Sequence, residues 1–231
     1  MERTMDRELN ELQKKLLHMG ALAEQMIHLV MQALVERNGT LIDQVLDLEH
    51  QVNLMQLDID NMGIKLLATR QPMAGDLRYI ITSLRINSEL ERVGDQAVNI
   101  CDNTEILLAE PPLKPLIDLP QMATDAQQML RQGLDAFVAR DAQLAQNVTL
   151  ADDKVDALKD QIFRELLTYM ISDSSTIRRA MALVLVSRNL ERIGDQAVNI
   201  AEEVIYLVQG RDVRHPRETR AELQQNEESN Q

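Results

Sequence analysis

The residues with the most chemistry to offer are carboxylates spaced four apart. Glu91, Asp95 and Asn99 recur as Glu191, Asp195 and Asn199, and each set is followed by a further acid, Asp102 or Glu202. At about 100° per residue they form one stripe of a helix, on a different face from Ile86, Leu90, Val93, Ala97 and Ile100, which read as its buried side. A second pair of positions echoes the spacing: Glu49 and Asn53 align with Asp152 and Asp156 at an offset of 103. Side chains one turn apart can grip one ion together. If the helices carrying the two stripes pack side by side, each copy offers about four to six hard oxygen donors. Such a set suits Mg, Mn, Ca or Fe better than a sulfur-ligated structural zinc site would.

The competing reading is a solvated helix face or a protein-docking surface, because a single Glu-x-x-x-Asp is commonplace. Two points weigh against it. Like charges at this spacing repel, and no lysine stands in register to neutralise them. Packing accounts for Leu90, Val93, Gly94 and Ala97, but not for Glu91, Asp95 and Asn99 being matched in both copies. The candidate ligands are therefore Glu49, Asn53, Glu91, Asp95, Asn99, Asp152, Asp156, Glu191, Asp195 and Asn199. The expected cofactor is a divalent or trivalent metal ion, one of Mg, Mn, Fe or Zn. Other chemistry is missing: His18, His28, His50 and His215 have no paired ligand spacing, and no phosphate-binding glycine loop or nucleophile elbow occurs. Without a Glu-x-x-His pair, a carboxylate-bridged storage or redox protein is the weaker alternative. No enzyme is expected.

The elements that must position these side chains are duplicated. Residues 91–100 recur at 191–200 with nine of ten positions identical. The likeness extends upstream at an offset of 103: Gln25 and Met26 match Gln128 and Met129, and Val45, Val52 and Ile59 match Val148, Val155 and Ile162. A repeat of this length is long enough to be a fold in itself. Each copy reads as three helices. In the first they run from about Asp6 to Glu36, Leu41 to Thr69, and Asp76 to Ala109, with Gly39 stopping the first helix and Thr40 capping the second. Val45, Leu48, Val52, Met55, Ile59, Met62 and Leu66 make a heptad seam, the pattern of near-antiparallel bundle helices. Gly94 and Gly194, inside helices, predict close approach of a neighbour. The fold class is all-α, two tandem three-helix bundles related by internal pseudosymmetry. The first bundle is assigned residues 1–110. Pro111, Pro112, Pro115 and Pro120 mark a linker over 111–120. The second bundle takes 121–209, and the polar 210–231 reads as a disordered tail.

Composition narrows the partners. A net charge of −13 repels nucleic-acid phosphates and anionic membranes alike. No apolar run approaches a membrane span, and Met1 leads directly into charged residues rather than a signal sequence, so a cytoplasmic protein is expected. The single cysteine, Cys101, reads as a buried, inert thiol.

These motifs resemble a known family. The duplicated E-R-[VI]-G-D-Q-A-V-N-I and the segment Arg70-Gln71-Pro72-Met73-Ala74-Gly75-Asp76-Leu77-Arg78 are similar to the hallmarks of the PhoU phosphate-signalling regulators. The resemblance covers about residues 5–209. The second copy departs from it at Ser172–Arg178, and Asn53 stands where the family usually carries an acid. The resemblance implies metal held by E/D-x-x-x-D motifs, often in a homodimer. It also implies a negative regulator of phosphate uptake that couples the phosphate-specific ABC transporter to a phosphate-sensing histidine kinase. Such a protein would sit at the inner face of the membrane through protein partners. A metal-free helical scaffold is the alternative.

Overall fold

The computed structural model describes residues 4–211, and all of their regular structure is helical. Six long helices follow in order: α1 (Thr4–Glu36), α2 (Thr40–Arg70), α3 (Ala74–Leu108), α4 (Asp118–Ala139), α5 (Ala142–Ser172) and α6 (Ile177–Gln209). A 3-10 turn, Ser174–Thr176, leads into α6. Helices α1–α3 pack on one another and α4–α6 do the same, giving the tandem three-helix bundles that the duplication predicts. The tail expected to be disordered, 210–231, lies outside the described residues apart from Gly210 and Arg211.

The helices form because apolar side chains recur at three and four residues and share one face. Val45, Val52, Ile59 and Leu66 of α2 are buried, with Leu48, Met55 and Met62 half-buried beside them. Val148, Val155, Ile162 and Leu166 make the same seam in α5. In α3, Ile86, Leu90, Val93, Ala97 and Ile100 are fully buried. Cys101 is 1% exposed, and burial, with Asp102 and Glu105 nearby, pushes its thiol up to about 12.

The turns are built differently from the sequence expectation. The residue that ends α1 in the left-handed region is Arg37 (φ 56°), not Gly39, and Arg140 (φ 50°) ends α4 in the same way. Thr40 is the first residue of α2 rather than its cap. The Asn38 side chain instead accepts hydrogen bonds from the Thr40 amide (3.2 Å) and hydroxyl (2.7 Å). A non-glycine residue at positive φ is disfavoured. Arg37 offsets this by donating to the carbonyls of Leu107 (3.1 Å), Leu108 (2.9 Å) and Glu110 (2.7 Å), so one turn closes the C-terminus of a helix two elements away. The connection to the second bundle runs over 109–117, earlier than the expected 111–120. Helix α4 begins at Asp118, and Pro120 stands in its first turn, where a missing N–H breaks no helical hydrogen bond.

The two bundles join along α3 and α6, with α1 and α4 alongside. Arg85 of α3 donates to both carboxylate oxygens of Glu203 (3.1 and 3.0 Å), and Asn199 of α6 donates to Glu89 (3.1 Å). These pairs fix α3 and α6 as antiparallel. A side chain at Gly20 would bring a Cβ to 2.4 Å from a methyl of Leu134, so glycine there lets α1 and α4 meet. The Tyr79 and Phe137 rings stack across the two bundles at 5.2 Å.

Candidate functional site

Packing α2 beside α3, and α5 beside α6, brings the acidic stripes of each pair together. In the first bundle Glu49 from α2 meets Glu91 and Asp95 from α3. Burial raises the Glu91 carboxyl above its usual range, Asp95 and Glu49 add to the rise, and Arg92 opposes it. Asp95 is raised by burial and by Glu49. Asn53 does not stand free: its amide donates to the Glu49 carboxylate at 2.5 Å.

The second cluster is more strongly charged. Asp152 and Asp156 from α5 face Glu191 and Asp195 from α6. Burial pushes Asp152 up to about 6, with Asp195, Asp156 and Glu191 adding repulsion. Asp195 is raised by burial, Glu191 and Asp156, and is held back by Lys159 and Arg192. Oxygen Oδ1 of Asp152 is buried without a hydrogen-bond partner. A Cβ at Gly194 would lie 3.2 Å from that oxygen, so the conformational cost of glycine within a helix keeps space beside a carboxylate. At the equivalent Gly94 of the first bundle, a Cβ would meet Val52 and Met26 at ordinary contact distance.

Sequence reasoning missed Lys159. It found no lysine in register because it compared charges along one helix, whereas Lys159 reaches between two. Its ammonium donates to Asp156 (2.9 Å) on its own helix and to Glu191 (3.0 Å) on α6. These hydrogen bonds, that to Asp156 first, raise its pKa, so it stays charged. The available signal was the three-residue spacing from Asp156 combined with the α5–α6 register, which only the assembled bundle supplies. Arg92 pairs with Glu89 (3.0 Å) rather than with the cluster acids.

Asn199 leaves the cluster for the junction between the bundles, where it binds Glu89. Eight residues beyond Glu191, it has turned by about 80° around the helix, enough to face α3 instead of α5. Asn99 is exposed, and its backbone carbonyl accepts from the Asn103 amide at 2.7 Å. The groups brought together are thus Glu49, Asn53, Glu91 and Asp95 in one bundle, and Asp152, Asp156, Glu191 and Asp195 in the other.

Oxygen donors, mutual repulsion and the orphaned Asp152 oxygen fit a hard cation chemically. The side chains do not form a closed shell as they stand: among the described residues, no three His, Cys, Asp or Glu side chains are grouped to hold a metal ion. A bound cation would be held by Glu49, Glu91 and Asp95, or by Asp152, Glu191 and Asp195, and would supply charge neutralisation.

Six helices in two matched bundles, with acids on paired faces and no helix among the described residues long and apolar enough to cross a membrane, define a duplicated helical-bundle protein with two acidic faces. The PhoU domain matches this chain twice, over residues 16–104 and 119–204. The chain belongs to the PhoU family. It is 40% identical over 210 residues to a phosphate-specific transport system accessory protein homolog of Pseudomonas putida, spanning 90% of this chain and 82% of that one. The corresponding protein of Aquifex aeolicus is 39% identical over 90% of this chain and 95% of its own length. The crystal structure of PhoU from Pseudomonas aeruginosa superposes with a TM-score of 0.87 at 37% identity, covering 90% of this chain and all of that one. A phosphate transport system regulatory protein from Streptococcus pneumoniae superposes at 0.84 with 27% identity, over 91% and 99% of the two chains.

Proposed function

We propose that this protein is a cytoplasmic negative regulator of phosphate uptake and phosphate-starvation signalling, an adaptor between the phosphate ABC transporter and a sensor histidine kinase. It carries a metal ion on its acidic clusters and works as a homodimer at the inner face of the membrane, held there by protein partners. Family membership supports the link to phosphate transport, since the relatives bear that description. The observation that carries the metal is the Asp152 carboxylate, drawn among three other acids with one oxygen unpartnered. Docking on proteins is supported by apolar side chains left exposed on the second bundle, Phe163, Leu167 and Ile171 of α5 with Met181 and Leu185 of α6.

Deleting the gene tests the signalling role. Phosphate-responsive genes should then be expressed even in phosphate-rich medium, and preserved repression would refute it. Metal analysis of the natively purified protein tests the cofactor. A Glu91→Ala, Asp95→Ala chain should lose the metal of the first cluster. A metal-free scaffold is the second reading, favoured by Lys159, which already serves the second cluster as a cation.

A further inference from the structure

The two repeats differ at their acidic clusters in a matched way. At the offset of 103, Asp156 replaces Asn53 and Lys159 replaces Gln56. Where the first bundle has two neutral amides, the second has an acid and a base three residues apart, joined at 2.9 Å. Setting that pair aside leaves the same three carboxylates in each repeat: Glu49, Glu91 and Asp95 against Asp152, Glu191 and Asp195. Counted over these side chains the formal charge is equal in both clusters, because Lys159 cancels Asp156; Asp153, where the first repeat has His50, adds a weaker repulsion at Asp152. The lysine also goes further than its partner requires. Its ammonium crosses to α6 and takes Glu191, one of the three shared carboxylates, at 3.0 Å. Both of its contacts are made by a partly exposed side chain, 29% accessible.

We infer that Lys159 is a built-in competitor for the second cluster, an internal cation that must release Glu191 before an external one can bind. The two repeats are consequently unequal, with the first open to a cation and the second guarded. This rests on the reading of the clusters as cation sites. An ammonium and a divalent ion drawn to one carboxylate repel each other by about 2 kcal/mol at ~4 Å in water, about thirtyfold in affinity, which salt and solvent exposure reduce to about tenfold.

The test is Mn2+ titration of the full chain, followed by the electron paramagnetic resonance of free Mn2+. A Glu91→Gln, Asp95→Asn background silences the first cluster, so the second is read alone. In that background Lys159→Gln should tighten Mn2+ binding about tenfold. Lys159→Arg, which keeps the charge, should leave it near the starting value. Lys159→Gln with Asp156→Asn, which copies the first repeat's chemistry, should reproduce the affinity of the first cluster measured alone. Circular dichroism checks that each chain is folded, and the arginine variant carries the comparison should the glutamine variant unfold: Mn2+ binding tightened about tenfold by Lys159→Arg would overturn the inference. Unchanged or weaker binding in folded Lys159→Gln overturns it while leaving the cation reading intact. Absence of Mn2+ binding in the native chain, whose first cluster is intact, overturns the open first cluster and with it the cation reading, even if the glutamine variant binds. Absence of binding in every chain overturns both.

Discussion

Replacing Asp152 by asparagine should stabilise the metal-free protein, and the gain should depend on pH. The Asp152 carboxyl is raised from 3.8 to about 6, chiefly by burial and then by Asp195, Asp156 and Glu191. A shift of that size corresponds to about 3 kcal/mol of disfavoured charge at neutral pH. The site is partly open to water, which screens it, so about 1–2 kcal/mol is expected. The sign follows from proton counting. Between the unfolded value and about 6 the folded chain holds more protons at this position than the unfolded chain does. Its stability therefore falls as pH rises through that window and stays lowered above it. Asparagine removes the burden, so Asp152→Asn should raise the unfolding free energy by about 1–2 kcal/mol at pH 7.5 and by less than half of that at pH 4.5. In a chain of this length that amounts to a rise of about 2–8 °C in Tm. Urea unfolding followed by circular dichroism at both pH values, with a chelator present, measures it, and an unchanged m-value keeps the comparison clean. Saturating divalent cation should reverse the order, because only the intact cluster gains stability from binding. A variant less stable than wild type in chelator at pH 7.5, or equally shifted at both pH values, would refute the electrostatic account.

Arg85→Ala takes the cation from Glu203, whose side chain is only 6% exposed, and should cost about 1–3 kcal/mol by thermal melting. A double-mutant cycle with Glu203→Gln isolates the pair, and a coupling near zero would show that the junction does not depend on it. Arg37→Ala removes three hydrogen bonds from the end of α3 and should cost about 1–2 kcal/mol, given that charged donors count for more than neutral ones. Faster amide exchange confined to the last turn of α3 would locate the effect, and uniform exchange would contradict it. Cys101 should resist a disulfide-exchange reagent in the native protein and react fully in urea, since its thiol is buried and raised to about 12. Rapid native labelling would place it at the surface.

Much of the architecture was legible because the chain states it twice. The matched decapeptides and the seam of Val45, Val52 and Ile59 set the helices and their buried faces, and the second repeat repeated the message. The meeting of Glu49 with Glu91 was legible too, since both lie outside those faces on neighbouring helices. What escaped depends on angles or register between elements. Lys159 acts across α5 and α6, so inspection of either helix alone shows an ordinary exposed lysine. Asn199 keeps the four-residue spacing of the stripe but accumulates rotation until it faces the other bundle. Arg37 took the left-handed position that composition assigns to Gly39, because carbonyls at the end of α3 were within its reach.

The asymmetry of the Arg85–Glu203 bridge has a consequence for a chain made of near-copies. Such a chain faces an error that unrelated halves do not, the pairing of like with like across two molecules. The antiparallel register that sets residue 85 against 203 and 89 against 199 would, in a match of two α6 helices, set Leu185 against Glu203 in place of Arg85. Two α3 helices would set Arg85 against Asn103 and Glu89 against Asn99, exchanging an ion pair for an amide contact. The mixed arrangement sets the two charges of Arg85 and Glu203 directly against each other. The difference between the duplicated halves at these positions thus favours the pairing of unlike halves.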